Sequence, residues 1–150
     1  METEDLVIRP FVAATDLERL SDIWFAASLL AHPFIGEPRL IEQRRLIEQE
    51  YLPKAETAVA CLGGEPAGFI SLLGTFVGGI FVAPERQGLG IGRRLIFHAL
   101  ARTGELTLEV YTANRQAVRF YEALGFRQLS RREVDDEGLP FANATLHLRA

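Results

Sequence analysis

Cysteine is nearly missing from this sequence, and that is the first constraint on what it can do. Cys61 stands alone among 150 residues, so no disulfide can form within the chain and no cysteine-based zinc site exists. It lies in the apolar stretch Ala58-Val-Ala-Cys-Leu62, where a small buried residue is expected rather than a nucleophile. Basic charge is also short. Lys and Arg number 16 against 20 Asp and Glu, a net charge of −4, which is not the footprint of a nucleic-acid binder. No run approaches the roughly 20 apolar residues of a membrane span. The opening Met1-Glu-Thr-Glu-Asp5 is acidic and lacks the apolar core of a signal peptide. These absences lead to the expectation of a cytoplasmic protein, monomer or homodimer, with no metal, membrane or nucleic-acid partner.

What is present is the material of one globular domain spanning residues 1–150, with 48% hydrophobic residues and no repeat or linker. Leu6 to Pro10 reads as a strand. Thr15 and Glu18 have the spacing of a capping box, ahead of a helix that places Leu17, Leu20, Trp24 and Ala27 on one face through about Ser28. Leu29 to Pro38 reads as a loop and Pro38 to Leu52 as a second helix. Thr57 to Leu62 and Gly68 to Leu73 form a hairpin about Gly63-Gly64-Glu65-Pro66. A third strand, Phe76 to Val82, contains Gly78-Gly79, the mark of a bulge or of a ligand approaching the backbone. A helix from Arg93 to Thr103, a strand from Leu106 to Tyr111, and a helix between Asn114 and Gly125 follow. Strands near Arg127 to Val134 and Ala144 to Leu148 flank the turn Asp135-Asp136-Glu137-Gly138. The fold class is mixed α/β, with helices covering a sheet.

The chain is organised around Val82-Ala-Pro-Glu-Arg-Gln-Gly-Leu-Gly-Ile-Gly-Arg-Arg94. A strand stops at Pro84, a turn holds Gly88, Gly90 and Gly92, and a helix begins near Arg93. Glycines let the backbone turn sharply with its N–H groups outward, and a helix start adds unpaired donors and a positive dipole end. Such a turn suits a phosphate or pyrophosphate. The plain alternative is a turn that only joins strand to helix.

The order strand, Val82-x-Pro84, Gln87-Gly-Leu-Gly90-Ile-Gly92, helix, strand, then Asn114-x-x-Ala117-x-x-Phe120-Tyr121-x-x-x-Gly125-Phe126 resembles the GNAT superfamily of acyl-CoA-dependent N-acetyltransferases. The ending, Glu133 to Phe141, is similar to small bacterial acetyltransferases of the YjaB type. The resemblance implies a mostly antiparallel central sheet flanked by about four helices, with the fourth and fifth strands splayed apart. It implies acetyl-CoA as cosubstrate, its pyrophosphate held by the main chain of Gln87, Gly88, Leu89, Gly90, Ile91, Gly92 and Arg93. Its pantetheine arm is expected along Phe81 and Val82, with a further contact at Asn114, which is also a helix N-cap.

In that frame the N–H of Val82 serves the oxyanion and Tyr121 is the general acid. A phenol with a pKa near 10 does not protonate a thiolate downhill, so Tyr121 acts by positioning; the alternative is an ordinary core tyrosine. Glu109, pointing opposite to Leu108 and Val110, is the candidate base for the incoming amine, or else a solvated strand glutamate. His32, Trp24, Phe34 and Phe141 are candidate neighbours of the acceptor. Asp135, Asp136 and Glu137 are either attractors of a cationic amine or a solvated turn. His98 and His147 suggest no metal. The acceptor is expected to be a small-molecule amine or a peptide or protein amine. Two alternatives stand: a coenzyme A-binding regulatory module without turnover, and a dinucleotide-binding protein, since Gly88-x-Gly90 follows a strand and Glu109 comes roughly 20 residues later.

Overall fold

The computed structural model describes residues 5–31 and 35–150. The chain runs β1 (Leu6–Pro10), α1 (Ala13–Ala31), α2 (Glu37–Leu46), a π-helical turn (Ile47–Tyr51), β2 (Glu56–Leu62), β3 (Glu65–Leu73) and β4 (Phe76–Val82). After a 3-10 turn (Pro84–Arg86) come α3 (Ile91–Thr103), β5 (Glu105–Tyr111), α4 (Arg115–Ala123), β6 (Arg127–Arg132) and β7 (Asn143–Arg149). The strands form one seven-stranded sheet in the order β1-β2-β3-β4-β5-β7-β6. All neighbours are antiparallel except β4 and β5. This is the mixed α/β architecture, mostly antiparallel with four helices, that the sequence leads one to expect.

Alternation along the strands divides the core in two. Leu106, Leu108 and Val110 of β5 join Leu95, Ile96, Tyr121 and Phe126 beneath α3 and α4. Leu20, Ile23, Trp24 and Leu40 of α1 and α2 pack with Val59, Cys61 and Phe69 on the other face. The β2–β3 turn needs Gly63 and Gly64 because both have positive φ, 58° and 83°, the two-residue turn whose twist matches the strands.

The feature that matters for function is the parting of β4 from β5. They pair only at Phe76 with Thr107 and at Val77 with Leu108. On the other side of β4 the register slips opposite Ser71 and Leu72, leaving Gly78 as an extra residue. This is the bulge that Gly78-Gly79 led us to expect, and it bends the strand just where the pairing with β5 ends.

The first helix differs from expectation. It starts at Ala13 and runs to Ala31, so Thr15 lies inside it and is no cap. Asp16 takes that part: its Oδ2 accepts the Val12 N–H at 2.8 Å, while Arg9 donates to both carboxylate oxygens at 2.7 and 2.8 Å. The segment expected as a loop from Leu29 to Pro38 is therefore helical at both ends. His32 and Phe34 lie outside the described residues, as does the opening Met1 to Glu4.

Asp16 is buried, and the Arg9 guanidinium holds its carboxyl below the usual carboxylate range against the opposing effect of burial. A carboxyl held low contributes stability above its unfolded pKa and loses it as pH falls through the folded value. We expect Asp16→Asn to cost about 3 kcal/mol at pH 7 by removing the carboxylate that Arg9 and the Val12 N–H share. Urea titrations should show the gap between wild type and variant narrowing as the pH is lowered through about 4 and below.

Candidate active site

The site is built along the seam that opens between β4 and β5. The Ala83 N–H donates to the Ala67 carbonyl on β3 at 2.8 Å. Successive residues of a strand alternate direction, so the Val82 amide faces the other way, into the opening. Gln87 reaches back from the turn, its Nε2 donating to the Val82 carbonyl at 3.4 Å. The main chain of Phe81 is turned toward β3, and its ring packs with Phe69 and Trp24.

The glycine turn follows this strand after Ala83 and the 3-10 turn Pro84–Arg86. Gly88 and Gly90 have φ of 82° and 79°, which explains why no residue with a Cβ is suited to either position. Gly90 caps α3 without any side-chain bond. The main-chain N–H groups from Gly88 to Arg93, with Leu89 and Ile91 between, have no hydrogen-bond partner among the described residues. Consecutive free donors at a helix start form an anion cradle. Gly92 has a different reason to be glycine, because it already lies in α3, two residues past Gly90. A Cβ there would sit 3.1 Å from Cζ of Phe120, so it lets α4 approach α3. Ile91 is buried and roots the helix start, while the Arg93 guanidinium lies over the Phe97 ring at 5.3 Å. The Asn114 side chain accepts the Ala117 N–H at 3.2 Å and caps α4.

Tyr121, from the next helix, belongs with Val82 to the apolar cluster on the α3 and α4 face. Its ring stands edge-on to Phe120 and Phe126, with centroids 5.2 and 5.4 Å away. Burial pushes its phenol well above the ordinary tyrosine value, so it keeps its proton throughout the neutral range.

Glu109 lies on the opposite sheet face, in a cavity of about 240 Å³ lined also by Arg39, Gln43, Tyr111, Arg132 and Asn143. Its Oε2 accepts from Arg132 Nη2 at 2.8 Å. Arg132 is held in turn by Asp136 at 2.9 Å and by Oδ1 of Asn143 at 3.2 Å. Asp135 is not an open attractor of cations. It is buried, accepts the N–H groups of Glu137 and Leu139 at 2.9 Å each, and pairs with Arg39 at 3.0 Å. Arg39 thereby ties α2 to the β6–β7 loop, over the ring of Phe141, which itself stands edge-on to Tyr111.

The structure thus gathers Val82 and the turn from Gln87 to Arg93 along one path, sets Tyr121 on the same face, and places Glu109 across the sheet. Sequence reasoning missed Arg39 and Arg132, whose partners Asp135 and Glu109 lie 96 and 23 residues away. It also missed Tyr111, although Tyr111 shares the alternation that singled out Glu109. Among the described residues no cluster of His, Cys, Asp and Glu is placed to hold a metal ion, and no helix is long and apolar enough to cross a membrane.

Residues 18–126 match the model of the acetyltransferase (GNAT) family. The chain belongs to this family. It is 38% identical over 125 residues to the peptidyl-lysine N-acetyltransferase YjaB of Salmonella typhimurium, covering 83% of this chain and 86% of that protein. The solution structure of apo YjaB from Escherichia coli superposes with a TM-score of 0.86 at 35% identity, covering 95% of this chain and 97% of the other. A PaiA N-acetyltransferase from Thermoplasma acidophilum, solved in complex with coenzyme A, shares the fold with a TM-score of 0.78 at 17% identity, covering 97% and 99% of the two chains. With a GNAT fold and a mostly antiparallel sheet, the dinucleotide-binding alternative is overturned, because that fold requires a doubly wound parallel sheet.

A Cβ at Gly90 would meet nothing within 4 Å, so any effect of adding one comes from its positive φ alone. We expect Gly90→Ala to lower folding stability by about 1 kcal/mol in urea titration. A loss of that size with an unchanged spectrum would confirm that the turn stores its requirement in the backbone.

Proposed function

We propose that the protein transfers the acetyl group of acetyl-CoA to the side-chain amine of lysine in a peptide or protein. The observation that carries this reading is the uninterrupted row of free N–H groups from Gly88 to Arg93, leading straight from an open strand edge. A pyrophosphate fits the row, and an extended pantetheine arm fits the unpaired edge of β4. Lysine as acceptor is supported by the peptidyl-lysine activity named for the YjaB relative.

The chemistry follows from the placement. The amine nitrogen attacks the thioester carbon, the C–N bond forms, and charge gathers on the carbonyl oxygen, where the Val82 N–H is aimed. The C–S bond then breaks, its electron pair stays on the sulfur as thiolate, and solvent supplies the proton that makes the free thiol. Tyr121 holds its proton firmly, so it stabilises the departing thiolate by hydrogen bonding rather than by full transfer. Glu109 is the group we assign to the acceptor's proton. Its Oε2 is engaged by Arg132, and its Oε1 has no partner among the described residues.

Acetyl-CoA is expected to raise the melting temperature and NAD to leave it unchanged, and a lysine peptide is expected to release free thiol. Binding without thiol release from any lysine peptide or amine would favour the regulatory module instead. Tyr121→Phe should lower kcat about 100-fold with coenzyme affinity nearly intact. In the wild type no alkaline fall in kcat below about pH 10 should trace to this phenol, because its pKa is raised. Glu109→Gln should lower kcat by about 100-fold and reshape the acidic side of the pH–rate profile. A rate profile of the same shape would remove the base assignment.

A further inference from the structure

The ring of Phe81 is fixed in a way that the proposed reaction does not account for. Phe81 precedes Val82 on β4, so the two side chains leave on opposite faces of the sheet. Val82 joins the cluster under α3 and α4, whereas Phe81 joins the cluster under α1 and α2. There its ring lies 5.5 Å from Phe69 and 6.4 Å from Trp24, centroid to centroid, and both of those residues are buried. Beneath it is Gly79, on the same side of the strand. A Cβ at position 79 would stand 2.6 Å from Cε2 of Phe81, so the ring lies against the strand in space that only a glycine leaves free. Phe69, Trp24 and Gly79 cover it from β3, from α1 and from below. Phe81 is nevertheless only half-buried, and β5 has already left β4 at this level.

We propose that Phe81 is an acyl-length stop, closing the seam just past the reacting carbon so that acetyl is accepted and longer acyl chains are refused. The inference rests on the reading that a thioester carbonyl sits at the Val82 N–H. The N–H row at the start of α3 and Tyr121 are on the α3 and α4 face, so the thioester arrives from there. Its acyl substituent continues toward the other face, where the neighbouring side chain along β4 is Phe81. Trp24 and Phe69 back the ring, and packed aromatic rings absorb added methylenes poorly. The bonds made and broken are those of acetyl transfer, and only the chain on the carbonyl differs.

The test uses the full chain with acetyl-CoA, propanoyl-CoA and butanoyl-CoA as donors. It reads dissociation constants by calorimetry, which needs no acceptor, and thiol release with a fixed lysine peptide. In the wild type kcat/KM is expected to fall about tenfold with each added methylene. Phe81→Ala should raise the ratio of butanoyl to acetyl transfer about tenfold or more, with Phe81→Leu between the two. The ratio is internal to each variant, so partial unfolding does not alter it. A wild type that uses butanoyl-CoA as well as acetyl-CoA overturns the stop, as does a ratio shared by all three proteins. A wild type that turns over acetyl-CoA with an unmoved ratio defeats this inference alone. One that neither binds nor turns over acetyl-CoA defeats the proposed function and this inference with it.

Discussion

Everything about this molecule depends on β4 and β5 failing to stay together. Two residue pairs hold them at Phe76 and Val77, and beyond that point the edge of β4 is left without a partner strand. An unpaired strand edge inside a sheet is costly, because its N–H and C=O groups still require hydrogen bonds. The bulge at Gly78 turns β4 away, and Gly79 lets the Phe81 ring lie down on the strand. The helix that starts at Ile91 presents its own free donors beside the opening.

The sheet also separates two kinds of environment. On the α3 and α4 face the seam is bordered by apolar groups, and the Tyr121 hydroxyl there is kept protonated by burial. On the α1 and α2 face, toward β6 and β7, the border is ionic. Arg132 joins Glu109 to Asp136, and Arg39 joins α2 to the turn at Asp135 and Glu137. Among the described residues, Nε and Nη1 of Arg39 are buried without a hydrogen-bond partner.

The parts of this arrangement that were legible in the sequence are those written in neighbouring residues. Gly63-Gly64 specifies a hairpin turn, Asn114 a cap, and the alternation of Leu106, Leu108 and Val110 a buried strand face. The glycine turn, joined to the block from Asn114 to Phe126, pointed to the family. What could not be read locally was set by distant partners. The start of α1 was misplaced because Asp16 acts as a cap only when Arg9 of β1 lies beside it. Asp135 looked like a solvated turn residue, and only Arg39 and the fold of the loop explain its burial. The third glycine of the turn read as another phosphate-loop residue, yet its reason lies in Phe120, far along the chain.

That last contact has a consequence for how the molecule tolerates change. Gly92 lies within the row of free N–H groups and Phe120 adjoins Tyr121, and a Cβ added at Gly92 would stand only 3.1 Å from Cζ of Phe120. Positions 92 and 120 therefore press on one volume, and a side chain added at 92 makes the Phe120 ring give by a few tenths of an ångström. A lineage drifting at position 92 reaches the phenol by way of the helix that carries it.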